Sequence, residues 1–338
     1  MRATTKAACF GVAILLLAFG LCAAPSRAQQ ASQPPARIPA QSWPQRTIHL
    51  IVPFGAGSAT DVTARLFADR LAKRWGQPVV VENRPGADSI VAVGAFAANH
   101  DDHTLLYSAP GPVTVNPVFY ARLPYDPSRD LAPISLGSEV FVTIAVPASL
   151  KLTSLSDLVA RARAEPGKLN WVATPGVVYF RFAGFVKGTG LDMVQVPYKD
   201  FTQAINDLAE GRIEVTATSL AVVRPHVQAG KVTPLAVTSH ERAPAWPDVP
   251  TATQAGVPAL AFGAFGGFFG WRDMPADLRE RIAADIRAAG ADPVLAATLT
   301  AAGVAVRTST PAEFAAAIED ERAQVAAVAQ AVGVKPTQ

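Results

Sequence analysis

Cysteine is all but missing from this chain. Its 338 residues include two, Cys9 and Cys22, both close to the N-terminus. Beyond them no disulfide, thiolate metal site or cysteine nucleophile is available. Methionine and tryptophan are also sparse, at three and five, too few for a stripe that would hold a cofactor. Charged residues make up only 17%, which argues against a disordered tail or a coiled coil. No apolar run after the N-terminus approaches the roughly 18 residues of a membrane helix. Neither a G-x-S-x-G elbow nor an H-E-x-x-H helix occurs, and the five histidines are scattered with no Ser–His–Asp pattern. No short repeat is visible, which excludes a solenoid.

What is present begins with a secretory signal. Arg2 and Lys6 give a positive start, Cys9 to Ala24 is a nearly unbroken apolar run, and Ser26-Arg27-Ala28 is a small-residue cleavage site. Residues 1–28 are therefore expected to be removed, leaving a secreted, periplasmic protein. Residues 29–42, rich in Gln, Pro, Ser and Ala, read as a flexible leader. The chain has 30 basic and 27 acidic residues, and three of the basic ones, Arg2, Lys6 and Arg27, belong to the signal. Without them the charges balance, which leaves no basic surface for nucleic acid.

From Trp43 onward apolar strands alternate with amphipathic helices. Strands are expected at 48–52, 78–82 and 104–108, with helices at 61–75 and 89–99 between them. The pattern restarts with a strand at 141–146 and a helix from about Ser154. Strands at 169–173, 193–198, 213–217 and 233–238 then alternate with helices at 179–187, 202–210 and 221–229. Helices at 275–289, 292–302 and 311–331 close the chain, the last opened by Thr310-Pro311-Ala312-Glu313 as a capping box. Such alternation implies parallel sheets with helices on their faces. It resolves into two α/β units, the C-terminal helices packing back on the first, with hinge crossings near 143 and 240.

One segment stands out for chemistry. Val52 to Asp61 joins a buried strand to a helix N-terminus through Gly55, Gly57 and Ser58. Small residues admit a ligand to the backbone, and first-turn N–H groups favour an anion. Gly55-x-Gly57, with Glu82 ending the next strand, also fits part of a dinucleotide fingerprint, but Thr60 stands at its third glycine. A third reading is a tight turn in which Ser58 caps the helix and Asp61 completes the box. Asn99-His100-Asp101-Asp102-His103 has metal-friendly residue types but reads as a solvated turn between elements.

Several segments in combination carry a family resemblance. They include Val81-Glu82-Asn83-Arg84-Pro85-Gly86-Ala87, Leu123-Pro124-Tyr125-Asp126-Pro127, Pro166-Gly167-Lys168-Leu169-Asn170, Val196-Pro197-Tyr198-Lys199 and Pro247-Asp248-Val249-Pro250-Thr251. On these the chain, from Trp43 to about Gly333, resembles the substrate-binding proteins of tripartite tricarboxylate transporters, the Bug family. The resemblance implies a type II periplasmic-binding-protein fold. Domain 1 would hold residues 43–142 plus 245–338 and domain 2 residues 143–244, with a central cleft and hinge crossovers. It also implies a monomer that needs no cofactor or metal, is not an enzyme, and delivers a small carboxylate to the membrane subunits of such a transporter. A ligand-sensing partner of a receptor kinase, or an enzyme in the same cleft, are the alternatives.

Family ligands are typically held by backbone groups and bridging waters from two facing loops. The first corresponds to Phe54, Gly57, Ser58, Ala59, Thr60 and Asp61, with Ser108 and Ala109 in a further turn of domain 1. The second corresponds to Thr174, Gly176, Val177, Val178, Tyr179 and Arg181. Here the sequence departs from the family. The second loop is less polar, and Lys199-Asp200-Phe201 replaces the usual Lys-Gly-Ser. Thr218-Ser219 replaces an Asp-Asn pair, and Phe265 replaces a Trp. The expected ligand is therefore an apolar-bodied mono- or dicarboxylate, aromatic acids included. The lost acid would relieve repulsion of an anion. Arg181 is expected either to meet a second acid group of the ligand or to point to solvent.

Overall fold

The computed structural model describes residues 43–333 apart from His100, Pro175 and Lys199. The signal segment 1–28 and the leader 29–42 lie outside the described residues. No helix among those described is long and apolar enough to cross a membrane.

The chain opens with β1 (Ile48–Val52), almost wholly buried, as a strand covered on both faces must be. Helix α1 (Ala59–Trp75) follows. Ser58 caps it by accepting from the Asp61 N–H, Asp61 lies in its first turn, Lys73 and Arg74 lie in its last, and Gly76 ends it at φ 66°. Each of these devices answers the orphan groups and the dipole of a helix. Next come β2 (Val79–Asn83), α2 (Ile90–Ala98), β3 (Thr104–Ser108) and three short helices, α3 (Gly111–Thr114), α4 (Asn116–Phe119) and α5 (Pro127–Asp130). Strand β4 (Leu131–Val140) leads through Phe141 into β5 (Val142–Pro147).

The second unit continues with α6 (Leu155–Ala164), β6 (Asn170–Ala173), α7 (Val177–Gly188), β7 (Val194–Gln195) and α8 (Phe201–Ala209). Then follow β8 (Val215–Ser219), α9 (Leu220–Gln228) and β9 (Val232–Val237). The chain returns through β10 (Phe265–Trp271), α10 (Ala276–Gly290), α11 (Pro293–Ala301), β11 (Val304–Val306) and α12 (Pro311–Val332).

Two sheets result. The first has the order β11-β4-β10-β3-β1-β2 and the second β7-β6-β8-β5-β9. Neither is wholly parallel, which corrects the sequence reading. β1 pairs β2 and β3 in parallel, but β10 is antiparallel to both β3 and β4. In the second sheet β6 runs parallel to β7 and β8, while β5 is antiparallel to β8 and β9. Strands β4, β10 and β11 have no counterpart in the expected pattern.

The glycines of β10 leave it without the side-chain alternation of a strand and serve here as points of close approach. A Cβ on Gly267 would stand 2.1 Å from Cζ of Phe314, and one on Gly270 would stand 2.4 Å from Sδ of Met274. On one face of the first sheet, Leu50, Phe67, Phe268 and Ile282 form a core with α1 and α10. On the other, Phe96, Phe269, Phe314 and Ile318 pack with α2 and α12. In the second sheet Leu158, Phe182 and Phe185 fill one face, and Ile205, Leu208 and Val223 the other. Helix α12 begins over the first sheet and ends beside α7, where Val325 and Ala329 pack on Phe180.

Candidate ligand-binding site

A cavity of about 660 Å³ is lined from both sheets. The first contributes Phe54, Ala59, Thr60, Ala109 and Phe265. The second contributes Thr174, Gly176, Val177, Val178, Tyr179 and Ser219. Two helix N-termini open onto it. In α1 the Ser58 side chain takes the Asp61 N–H at 3.2 Å and its carbonyl takes the Val62 N–H at 2.9 Å. The first-turn donors of Ala59 and Thr60 stay outside the ladder. In α7 the ladder begins with Tyr179 N–H to the Thr174 carbonyl and Phe180 N–H to the Gly176 carbonyl, each at 3.0 Å. Val177 and Val178 are thus first-turn donors facing the cavity from the other sheet. Such donors, with the dipole behind them, favour an anion.

The remaining lining is largely apolar. Phe119, Tyr120, Phe180 and Phe201 join Phe54, Tyr179 and Phe265. Phe119 and Phe180 meet edge to face at 5.0 Å, and Tyr179 stacks on Trp171 at 5.6 Å while its hydroxyl donates to Gln195. The one acid among the described lining residues is Asp88.

Residues 63–334 match the family described as "Tripartite tricarboxylate transporter family receptor". The chain belongs to this receptor family. A UPF0065 protein of Bordetella bronchiseptica is 32% identical over 301 residues, which cover 88% of this chain and 89% of that protein. Protein BugT of Bordetella pertussis is 34% identical over 227 residues, 66% of this chain and 70% of its own. Among solved structures, R. palustris Rpa4515 with adipate has a TM-score of 0.73 at 31% identity, covering 87% of this chain and 100% of its own. MatC from Rhodopseudomonas palustris with bound malate has a TM-score of 0.68 at 29% identity, covering 85% and 99%. The fold is therefore the two-lobed α/β fold of periplasmic binding proteins.

Not every residue singled out in the receptor's sequence reaches the cavity. Gly57, Ser58, Asp61, Ser108, Arg181 and Thr218 are not among its lining residues. Gly57 donates its N–H to Asp61 at 2.8 Å, with φ 82° that only glycine adopts cheaply. Asp61 takes that N–H in place of the Ser58 N–H that a capping box would give it, and also accepts from Asn83 at 2.8 Å and Arg65 at 3.1 Å. Burial pushes the Asp61 carboxyl up, but Arg65, the Gly57 N–H and Asn83 outweigh it and hold it below the ordinary range. Asp61 therefore builds the loop. Ser108 is buried and turns its hydroxyl to the Ala109 carbonyl at 3.0 Å. Thr218, also buried, pairs with the Thr174 hydroxyl at 2.8 Å and orients that lining residue.

Arg181 neither points to solvent nor faces the cavity. It lies 5.2 Å over the Phe262 ring, donates to the Ala261 carbonyl at 3.2 Å, and donates to Gln324 of α12. Its role is to join α7 to α12. Glu82, the acid of the dinucleotide reading, pairs with His49 at 2.5 Å and Arg84 at 2.7 Å and does not line the cavity.

The turn before β3 is not simply solvated. Asp101, Asp102 and His103 offer ligand atoms within 4.8 Å of one another, but these are already engaged. His103 is buried, accepts from the Gln45 N–H at 3.0 Å and bonds Asp102 at 2.6 Å. Asp101 accepts from Thr104 at 2.8 Å, from the His103 N–H at 3.1 Å, and from Arg46. The cluster fastens residues 43–46 to the sheet; His100 lies outside the described residues.

Sequence reasoning missed Asp88, Ser89, Asn116, Phe119 and Tyr120 as lining residues. The signal for Asp88 and Ser89 was their place directly after the Arg84-Pro85-Gly86-Ala87 run. The segment 111–120 carries Gly-Pro and Asn-Pro steps that read as turns and form α3 and α4.

Proposed function

We propose that this receptor is a periplasmic solute-binding protein that captures a small carboxylate with an apolar body in the cavity between its sheets. The observation that carries the reading is the pair of helix N-termini, α1 and α7, opening from opposite sheets onto one largely apolar cavity. A carboxylate held between Ala59–Thr60 and Val177–Val178 would be attracted to both lobes at once, so binding favours the closed arrangement. The apolar walls suit a hydrocarbon or aromatic body, and adipate and malate in the relatives' structures are carboxylates of small size. The domains are residues 43–142 plus 245–338 and 143–244, and closure turns on the crossings near 143 and 240. The monomeric closed form presents the ligand to the membrane subunits of a tripartite tricarboxylate-type transporter. Binding, not catalysis, is its role.

A thermal-shift panel on ligand-stripped mature protein tests this. Aliphatic and aromatic carboxylates are set beside uncharged analogues of the same size. At a hundred times its dissociation constant a ligand adds about 2.7 kcal/mol, so carboxylates are expected to raise the midpoint and the uncharged analogues to leave it alone. Equal shifts from both sets would refute anion capture.

A further inference from the structure

The cavity wall carries an acid, Asp88, on the side opposite Thr218-Ser219, where the family resemblance implied that an acid had been lost. Three successive residues, Ala87, Asp88 and Ser89, adopt left-handed backbone at φ 47°, 48° and 68°. None is glycine, and such conformations at non-glycine residues concentrate where the surrounding structure imposes them for function. The clamps are visible. Asn116 donates to the Asp88 carbonyl at 3.0 Å, the Ser89 N–H reaches the Gly86 carbonyl at 2.9 Å, and the Ser89 hydroxyl reaches the Pro53 carbonyl at 3.3 Å. The Tyr120 hydroxyl donates to the Asp88 carboxylate, which pushes the phenol up and keeps it a neutral donor. A carboxylate has about four acceptor positions, so Asp88 retains capacity toward the cavity after Tyr120 is served.

We propose that Asp88, oriented by Tyr120, determines specificity by pairing with a protonated amine carried on the same ligand as the captured carboxylate. This rests on the carboxylate-capture reading and narrows it from mono- or dicarboxylates to amino-bearing monoacids. The lining residues described include no lysine, arginine or histidine. As the lobes close, Asp88 exchanges water for an apolar enclosure, where an unpaired charge is expensive. A second ligand carboxylate would add repulsion there, whereas an ammonium would form a charge-assisted hydrogen bond.

The test is calorimetric titration of ligand-stripped mature protein with 6-aminohexanoate, hexanoate and adipate, and with 4-(aminomethyl)benzoate, 4-methylbenzoate and terephthalate. Wild type is expected to prefer the amino acid over the diacid of the same length by about tenfold or more, the scale of one hydrogen bond to a charge. Asp88→Asn, whose side chain tolerates the same left-handed backbone, is expected to lose that preference, binding the amino acid and the diacid of the same length within about threefold of one another. Asp88→Gly, which the backbone accepts without strain, serves as the second variant with the same expectation. A diacid bound at least as tightly as its amino counterpart, or a ratio unchanged in both variants, overturns the role of Asp88 and leaves carboxylate capture standing. No binding by any of the six overturns carboxylate capture itself.

Discussion

Arg181 shows how a side chain is misjudged when only its position along a helix is known. It sits near the start of α7, close to the cavity, yet its guanidinium is spent on Phe262, the Ala261 carbonyl and Gln324. Arg181→Ala is therefore expected to lower unfolding stability by about 1–3 kcal/mol, the scale of lost buried hydrogen bonds and stacking. It should leave the ratio of monoacid to diacid affinity unchanged, which chemical denaturation and titration together would check. Single residues with a local rule behind them were legible. Ser58 at a helix start and Thr310 in a capping box do what their side chains are suited for. Asp88 was harder to read, because its place in the cavity depends on three successive left-handed residues, Ala87 to Ser89, and the preferences of single residues do not predict such a run.

Elements built on period and caps were read from the sequence to within a few residues. α1, α6 and α12 show the agreement, each with the polar cap residue that the sequence announces. Strands that owe their existence to partners were not. β10 has glycines where a strand would ordinarily carry side chains, and its place is set by the aromatic rings of Tyr107 and Phe314, which pack close against Gly266 and Gly267. Gly267→Ala should drive a methyl group into Phe314 and cost about 1–3 kcal/mol. Phe314→Leu in the same chain should recover part of that loss in a double-mutant cycle.

The clasp ahead of β3 makes a second prediction at this scale. Burial pushes the Asp101 carboxyl up, but hydrogen bonds from Arg46, Thr104 and the His103 N–H outweigh it and hold it at about 2. A carboxylate held below its ordinary value stabilises the fold above that value and loses its contribution as the pH falls through the lowered one. Wild-type stability should thus decline between pH 3.8 and about 2. Asp101→Asn should be less stable at neutral pH and show a shallower acid decline in urea titrations.

At the scale of the molecule, two sheets joined at Phe141 and at the return before β10 bring α1 and α7 to one cavity, and α12 spans from one sheet's core to the other's helix. The alternation of strands and helices was enough to expect two α/β units, and the combination of motifs was enough to expect the receptor family. Which residues meet across the cavity was not readable. Phe119 and Phe180 are far apart along the chain and meet in one apolar cluster with Val325 and Ala329 of α12. Calorimetry on wild type beside Ala109→Trp tests the account most directly, since Ala109 lines the cavity and an indole there would fill the ligand's space. Wild type is expected to bind an apolar-bodied carboxylate, and the variant, with its fold and midpoint preserved, to give no heat. Equal binding by both proteins would place the ligand elsewhere and contradict the account.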